Sequence, residues 1–203
     1  MSLEEGIAAW NAEAENFDEA PDHGLLNPTV RAAWAKLLTE KMPAAPAHVA
    51  DLGCGTGTLS VLLADNGYSV DGLDFSPEMI QRAVAKAAGR SNVRFLAGDA
   101  YAPPLPHASY DAVLSRHVLW ALPDPAVALD RWIRLLRPEG LLVLVEGRWS
   151  TGVGLRADET VALVRAAGRS AELTVMSDAV YWGRTISDDR YVVVSPERSR
   201  KAL

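Results

Sequence analysis

Four stretches of this 203-residue sequence put side chains where chemistry can be built. The first is Val49-Ala50-Asp51-Leu52-Gly53-Cys54-Gly55-Thr56-Gly57, an apolar run that turns into alternating glycines. Gly53 and Gly55 remove Cβ atoms where a ligand must pass against backbone, and a helix after the turn would offer the positive end of its dipole. That is the composition of a cofactor cradle. The second is Asp74, 17 positions beyond Gly57, in Gly72-Leu73-Asp74-Phe75-Ser76. A short acid at a strand end can accept both hydroxyls of a ribose, although alone it could equally cap the next helix. The third, Gly98-Asp99-Ala100, sets a carboxylate acceptor beside a backbone N–H donor; alone it is a commonplace turn, and its weight comes from its order after the first two. The fourth, Ser115-Arg116-His117-Val118, brings a histidine to a strand end, where an imidazole suits proton transfer near neutral pH.

A dinucleotide-binding turn carries glycines at the first, third and sixth positions of its fingerprint. Here the sixth position is Thr58, and the glycines stand at 53, 55 and 57 behind Asp51. That pattern resembles motif I of the class I, Rossmann-like S-adenosylmethionine-dependent methyltransferases of the small-molecule type. The resemblance runs from about Ala47 to Val194 and includes Leu122-Pro123-Asp124-Pro125 and Leu136-Arg137-Pro138-Glu139-Gly140. It implies that the turn Gly53, Cys54, Gly55, Thr56 and Gly57 passes beneath the methionine part of S-adenosylmethionine, with Asp51 holding its ammonium group. Asp74 would take the ribose, Phe75 the flank of the adenine, and Asp99 and Ala100 its edge, with Met79 a further cofactor contact. Ser115 to His117 would border the transferred methyl group, leaving S-adenosylhomocysteine as product. The Asn/Asp-Pro-Pro-Tyr-like segment of nucleic-acid and protein amide methylases is absent at 115–118, which favours a small-molecule acceptor with an oxygen or nitrogen nucleophile.

If the acceptor is a hydroxyl, His117 is the best-placed general base, and His23 the second candidate; the alternative is a histidine that only braces the cleft. Phe17, Asp22, His23 and Gly24 lie in an N-terminal segment that in small relatives serves as a lid. Glu146 and Trp149 follow a strand end and are placed to line the acceptor site, or, for Trp149, simply to pack. Arg116 meets either an acidic acceptor or a neighbouring carboxylate. Two other functions stay open: a nicotinamide-dependent oxidoreductase, against which Thr58 argues, and a cofactor-binding module without turnover.

Strands are expected at His48–Leu52, Ser69–Asp74, Val93–Ala97, Tyr110–Ser115 and Leu141–Val145. The last is continuously apolar, as a central parallel strand covered on both faces must be. A helix over about 27–41 follows from Val30, Ala33, Trp34 and Leu37. A second opens at Ser76-Pro77 with Ile80, Ala83, Val84 and Ala87 inward. A third opens at Asp124-Pro125, faces inward with Leu129, Trp132, Ile133 and Leu136, and ends near Arg137-Pro138. Thr160, Leu163, Val164 and Ala167 indicate a fourth helix, and Glu172–Met176 and Tyr191–Val194 a final strand pair. Their connection is too short for a crossover helix, so one of the two should run antiparallel. The expected fold is α/β: a doubly wound, mostly parallel, seven-stranded sheet with helices on both faces. It forms a single domain in which residues 1–42 are a helical cap and 43–203 the core.

Composition bounds the rest. Such a chain, 49% hydrophobic, can bury roughly 70% of its unfolded surface. A net charge of −6 without a long basic run argues against nucleic acid, and the short tail Arg198, Arg200 and Lys201 reads as a solvated end. One cysteine, Cys54, excludes an internal disulfide, and no Cys/His spacing suggests a metal. With neither leader nor membrane span, a cytoplasmic monomer or homodimer is expected.

Overall fold

Short β-branched and apolar runs punctuated by Gly, Asp and Pro form seven strands, and the computed structural model describes them within residues 3–196. They are β1 His48–Leu52, β2 Ser69–Asp74, β3 Val93–Ala97, β4 Tyr110–Arg116, β5 Leu136–Arg148, β6 Glu172–Val175 and β7 Asp189–Ser195. Their order is β3-β2-β1-β4-β5-β7-β6. All pairings from β3 to β5 are parallel, and β7 runs antiparallel to both β5 and β6. The order reverses between β1 and β4, which is where an open α/β sheet splays its loops into a ligand crevice. Pairing of Leu52 with both Leu73 and Ser115 aligns the carboxyl ends of the three strands that carry the motifs.

Alternation sends neighbouring residues to opposite faces. Val49, Leu114 and Val143 pack with Trp34, Leu62 and Trp182, whereas Ala50, Val113 and Leu144 pack with Leu129, Trp132 and Val164. The covering helices are α1 Leu3–Glu13, α2 Pro21–Gly24, α3 Pro28–Lys41, α4 Thr58–Asp65, α5 Pro77–Lys86, α6 Pro125–Ile133 and α7 Ala157–Ala166. Helix starts match their cap chemistry: Asn27, Ser76 and Asp124 each accept a hydrogen bond from the first turn, followed by Pro28, Pro77 and Pro125.

Two local expectations fail for packing reasons. Val84 is 55% exposed, because α5 buries Met79 and Ala83 and so turns one residue away from the face drawn through Ile80 and Val84. Arg137-Pro138-Glu139-Gly140 does not separate α6 from its strand. Helix α6 ends at Ile133, Leu136 already belongs to β5, and the register shifts between Tyr110 and Ala112. With Glu139 at φ +67°, the segment is a bulge. Arg169 fastens it by donating to the Gly140 carbonyl (2.6 Å) and to Ser195 Oγ (3.0 Å). The basic tail Arg198, Arg200 and Lys201 lies outside the described residues, among which no helix is long and apolar enough to cross a membrane.

Helix α3 is anchored to the C-terminal part of the chain by Trp34. Its Nε1 donates to the Tyr181 carbonyl at 2.8 Å and its ring meets Tyr181 and Trp182 edge-on. Trp34→Ala is expected to cost about 3–5 kcal/mol by denaturant unfolding; a cost below about 1 kcal/mol would mean that this junction does not hold the N-terminal helices.

Candidate active site

The glycine turn after β1 is tied to the end of β2. The amides of Gly53 and Cys54 both donate to the Leu73 carbonyl, at 2.8 and 2.9 Å. The next amide, Gly55 N–H, donates to Asp74 Oδ2 at 2.9 Å, while Asp74 Oδ1 accepts the Ser76 amide at 2.9 Å. Gly53 and Gly55 adopt φ of +74° and +54°; a Cβ on Gly53 would lie 2.2 Å from Val118 Cγ2, and one on Gly55 3.2 Å from the Phe17 ring. Backbone thus comes into direct contact with motif IV on one side and with the N-terminal segment on the other, which only glycine permits.

Above this turn lies a cavity of about 500 Å³, within the ~300–1,000 Å³ typical of small-molecule sites. Asp51, Gly53, Cys54 and Gly55 line it from β1; Asp74, Phe75 and Met79 from β2 and α5; and Asp99 and Ala100 from the loop after β3. Arg116, His117 and Trp149 form the β4–β5 side, with Phe17 and His23 from the N-terminal segment. These expected residues converge. Thr56, Gly57, Ser115 and Glu146 do not line the cavity. Thr56 Oγ1 donates to Asp18 Oδ1 (2.5 Å) and accepts from Lys86 Nζ (2.9 Å). A Cβ on Gly57 would sit 2.6 Å from the Phe95 ring, so that glycine serves the packing of α4 on β3. Ser115 Oγ donates to the Leu52 carbonyl and braces β4 against β1. Glu146 is buried behind the wall, its Oε1 accepting the amides of Val118 (3.2 Å) and Leu119 (2.8 Å).

Burial controls the charges. Asp51, with Ser60 Oγ donating to its Oδ2 at 2.5 Å, is pushed up to about 6, burial outweighing that hydrogen bond. Asp74 is also raised by burial, though its bonded amides oppose the shift. Burial holds the Cys54 thiol well above its usual range, so it is no nucleophile. His117, at φ +61°, is held well below 6.5 by burial first and then by Arg116 and Arg190; its Nε2 has no partner. The imidazole is therefore neutral at pH 7. Arg190 stands behind it, its guanidinium 4.6 Å from the Trp149 ring and 5.5 Å from Trp182, with Nη2 on Asp188 at 2.9 Å.

The N-terminal segment closes over the cavity through contacts that the sequence patterns did not disclose. Asp18, in a 3-10 turn (Phe17–Glu19), is ion-paired to Lys86 Nζ at 2.7 Å as well as bonded to Thr56. Asn11 Oδ1 accepts Ser76 Oγ at 2.6 Å. Phe17 stacks on His23 at 4.4 Å, and Trp10 and Trp120 complete the aromatic walls. Long-range polar pairs of this kind have no signature in local spacing. Trp120 is different: three residues past His117 in the motif IV stretch, it was within reach of sequence reading.

With this geometry in place, comparison with known proteins is informative. Residues 50–144 match the family model described as a methyltransferase domain. The chain is similar to the demethylmenaquinone methyltransferase of Renibacterium salmoninarum, 33% identical over 179 residues that cover 88% of this chain and 73% of that protein. It is also similar to the demethylmenaquinone methyltransferase of Thermus thermophilus, 40% identical over 105 residues, about half of each chain (50% and 48%). Among solved structures, a SAM-dependent methyltransferase from Aquifex aeolicus superimposes with a TM-score of 0.71 at 19% identity, covering 92% of this chain and 97% of that one, which speaks for the fold.

Glu146 supplies a test of the wall. Its carboxyl is raised from 4.5 to about 8 by burial, against the pull of the two amides. Between those values the folded state keeps a proton that the unfolded state has released, so this residue's contribution to stability falls as pH rises. Unfolding free energies of the wild type and of Glu146→Gln, measured from pH 4.5 to 8, should diverge, with the wild type losing stability relative to the variant. Parallel pH profiles would show that Glu146 is not held as a buried acid.

Proposed function

We propose, for a chain that belongs to the class I S-adenosylmethionine-dependent methyltransferases, that it methylates a small, largely apolar ring compound bearing a hydroxyl. The observation that carries this is the convergence of Asp51, Asp74 and Asp99 with the Gly53–Gly55 turn on one cavity whose other walls include Trp10, Phe17, Trp120 and Trp149. The residues fit the cofactor. The turn has no room for a Cβ, and Asp74 keeps lone pairs for a diol beyond those its two amide bonds use. Asp99 Oδ1 takes the Tyr101 amide, shaping the loop that presents Ala100. When bound, the cofactor supplies a methyl group already made electrophilic by its sulfonium.

The chain's own residues then have three tasks. The turn, Asp74 and the Asp99 loop fix position, the part of catalysis in which orientation is worth most. The Asp18–Lys86 and Asn11–Ser76 contacts hold the N-terminal segment down as a lid and exclude water from the cavity. His117, without a partner on Nε2, is the candidate base for an acceptor hydroxyl. Burial, Arg116 and Arg190 depress its affinity for a proton, contrary to the expectation of an imidazole poised near pH 7, so the oxyanion left on the acceptor must offset the charge it takes up. Trp10, Phe17, Trp120 and Trp149 supply apolar faces suited to a planar acceptor, in keeping with relatives named for demethylmenaquinone. The same relatives weigh against a nicotinamide-dependent oxidoreductase.

Two substitutions probe these roles. Asp74→Ala should weaken S-adenosylhomocysteine binding more than tenfold in calorimetry, since a buried carboxylate acceptor is lost; unchanged affinity refutes the ribose role. His117→Ala should slow transfer of labelled methyl to a hydroxyaryl acceptor at saturating cofactor while leaving cofactor affinity within about twofold. Undiminished turnover would reduce His117 to a wall residue.

A further inference from the structure

Arg116 is a half-buried cation on the cavity wall for which the protein supplies no counter-ion at bonding distance. Its Nη1 donates at 2.5 Å to the main-chain carbonyl of Asp22, and its guanidinium lies 5.2 Å from the Trp34 ring. Asp22, Asp51 and Asp18 stabilise its charge only from a distance, and burial outweighs them. Among the described residues it closes no ion pair, unlike Arg190, whose charge is met by Asp188 and two indole rings. A guanidinium partly withdrawn from water and lacking a carboxylate partner gains a charge-assisted bond when a ligand brings the anion. Arg116 lines the cavity, so a ligand can reach it.

Its neighbour is the complement. Leu114 pairs with Asp51 across β4 and β1, and Arg116, two residues further along β4, projects from the same face of the sheet. Asp51 lines the cavity too, and Ser60 occupies one side of its carboxylate. An acid and a guanidinium thus flank one end of the cavity, each sensing the other's field yet leaving the other unpaired. Had they served only each other, a bidentate ion pair would have closed between them. Held apart, they match a molecule that carries an ammonium and a carboxylate on the same carbon. The lid enters the same arrangement, since Arg116 reaches it through the Asp22 carbonyl next to the stacked His23 and Phe17.

We propose that Arg116 binds the carboxylate of the cofactor's methionine end, opposite Asp51 on its ammonium, so that the pair selects an α-amino-acid zwitterion. This rests on the methyltransferase reading above and adds to it the residue for the acid group. Because the same guanidinium holds the lid's main chain, seating the amino acid and closing the lid involve one side chain.

Binding of three compounds, followed by calorimetry, separates the possibilities: S-adenosylhomocysteine, its decarboxylated analogue, which keeps the amine, and 5′-methylthioadenosine, which lacks both groups. The wild type should bind S-adenosylhomocysteine at least tenfold more tightly than the decarboxylated analogue. Arg116→Met should reduce that preference to within about threefold, while any loss caused by the freed lid falls on all three compounds alike. Retention of the wild-type preference in Arg116→Met would overturn the proposal while leaving the cofactor assignment intact. Absence of binding of all three compounds to the wild type would overturn both. Should the variant not fold, the Nε–Hε resonance of Arg116 in the wild type decides instead. It should shift with S-adenosylhomocysteine and stay in place with the decarboxylated analogue, and equal shifts with both would refute the carboxylate contact.

Discussion

One carboxylate fixes the geometry of this site. Asp74, at the end of β2, accepts the Gly55 amide with one oxygen and the Ser76 amide with the other, joining the glycine turn after β1 to the cap of α5. Buried polar groups must be paired, so the sheet edge can hardly open here without leaving two amides and a carboxylate stranded. Everything above follows that clamp. The turn presents backbone without Cβ atoms, Val118 packs onto Gly53, and Phe17 of the lid rests against Gly55. The residue expected only to take the ribose is thus also the one that shapes the cradle.

The charge distribution around the clamp is unusual for a protein interior. Asp51, Arg116, His117, Glu146 and Arg190 lie together at the carboxyl end of the sheet, and burial moves each toward its neutral form. A low-dielectric site of this kind strengthens every interaction a ligand makes with it. Protonated Glu146 supports the turn that carries Val118 and Leu119, while Arg190 and Arg116 together keep the intervening imidazole uncharged. Wall and floor are therefore coupled through electrostatics as much as through packing.

Much of this was legible in the sequence because it is local. A glycine turn, a strand-end acid and a capped helix each declare themselves within a few residues, and β1, β2 and β3 begin and end where their punctuation sets them. That one of the last two strands is antiparallel followed from the length of the loop between them, and the structure shows that it is β7. What stayed hidden depends on packing or on distant partners. Val84 and Ile80 satisfy the same helical spacing as Met79 and Ala83, and only the neighbours of α5 choose between them. Glu146 stands at a strand end like a site residue, yet its side chain turns inward because two orphan amides need an acceptor. Thr56 and Gly57 sit inside the motif but serve Asp18, Lys86 and Phe95, none of which is near in sequence.

The central claim is that the cleft over the clamp holds an adenosyl amino acid. Backbone amide resonances followed during titration with S-adenosylhomocysteine test it most directly. The account predicts saturable shifts at Gly53, Gly55 and Ala100, with Val175 on the far edge strand unmoved. Shifts confined to the shallow recess around His48 and Arg94, or a response to NAD and none to S-adenosylhomocysteine, would contradict it.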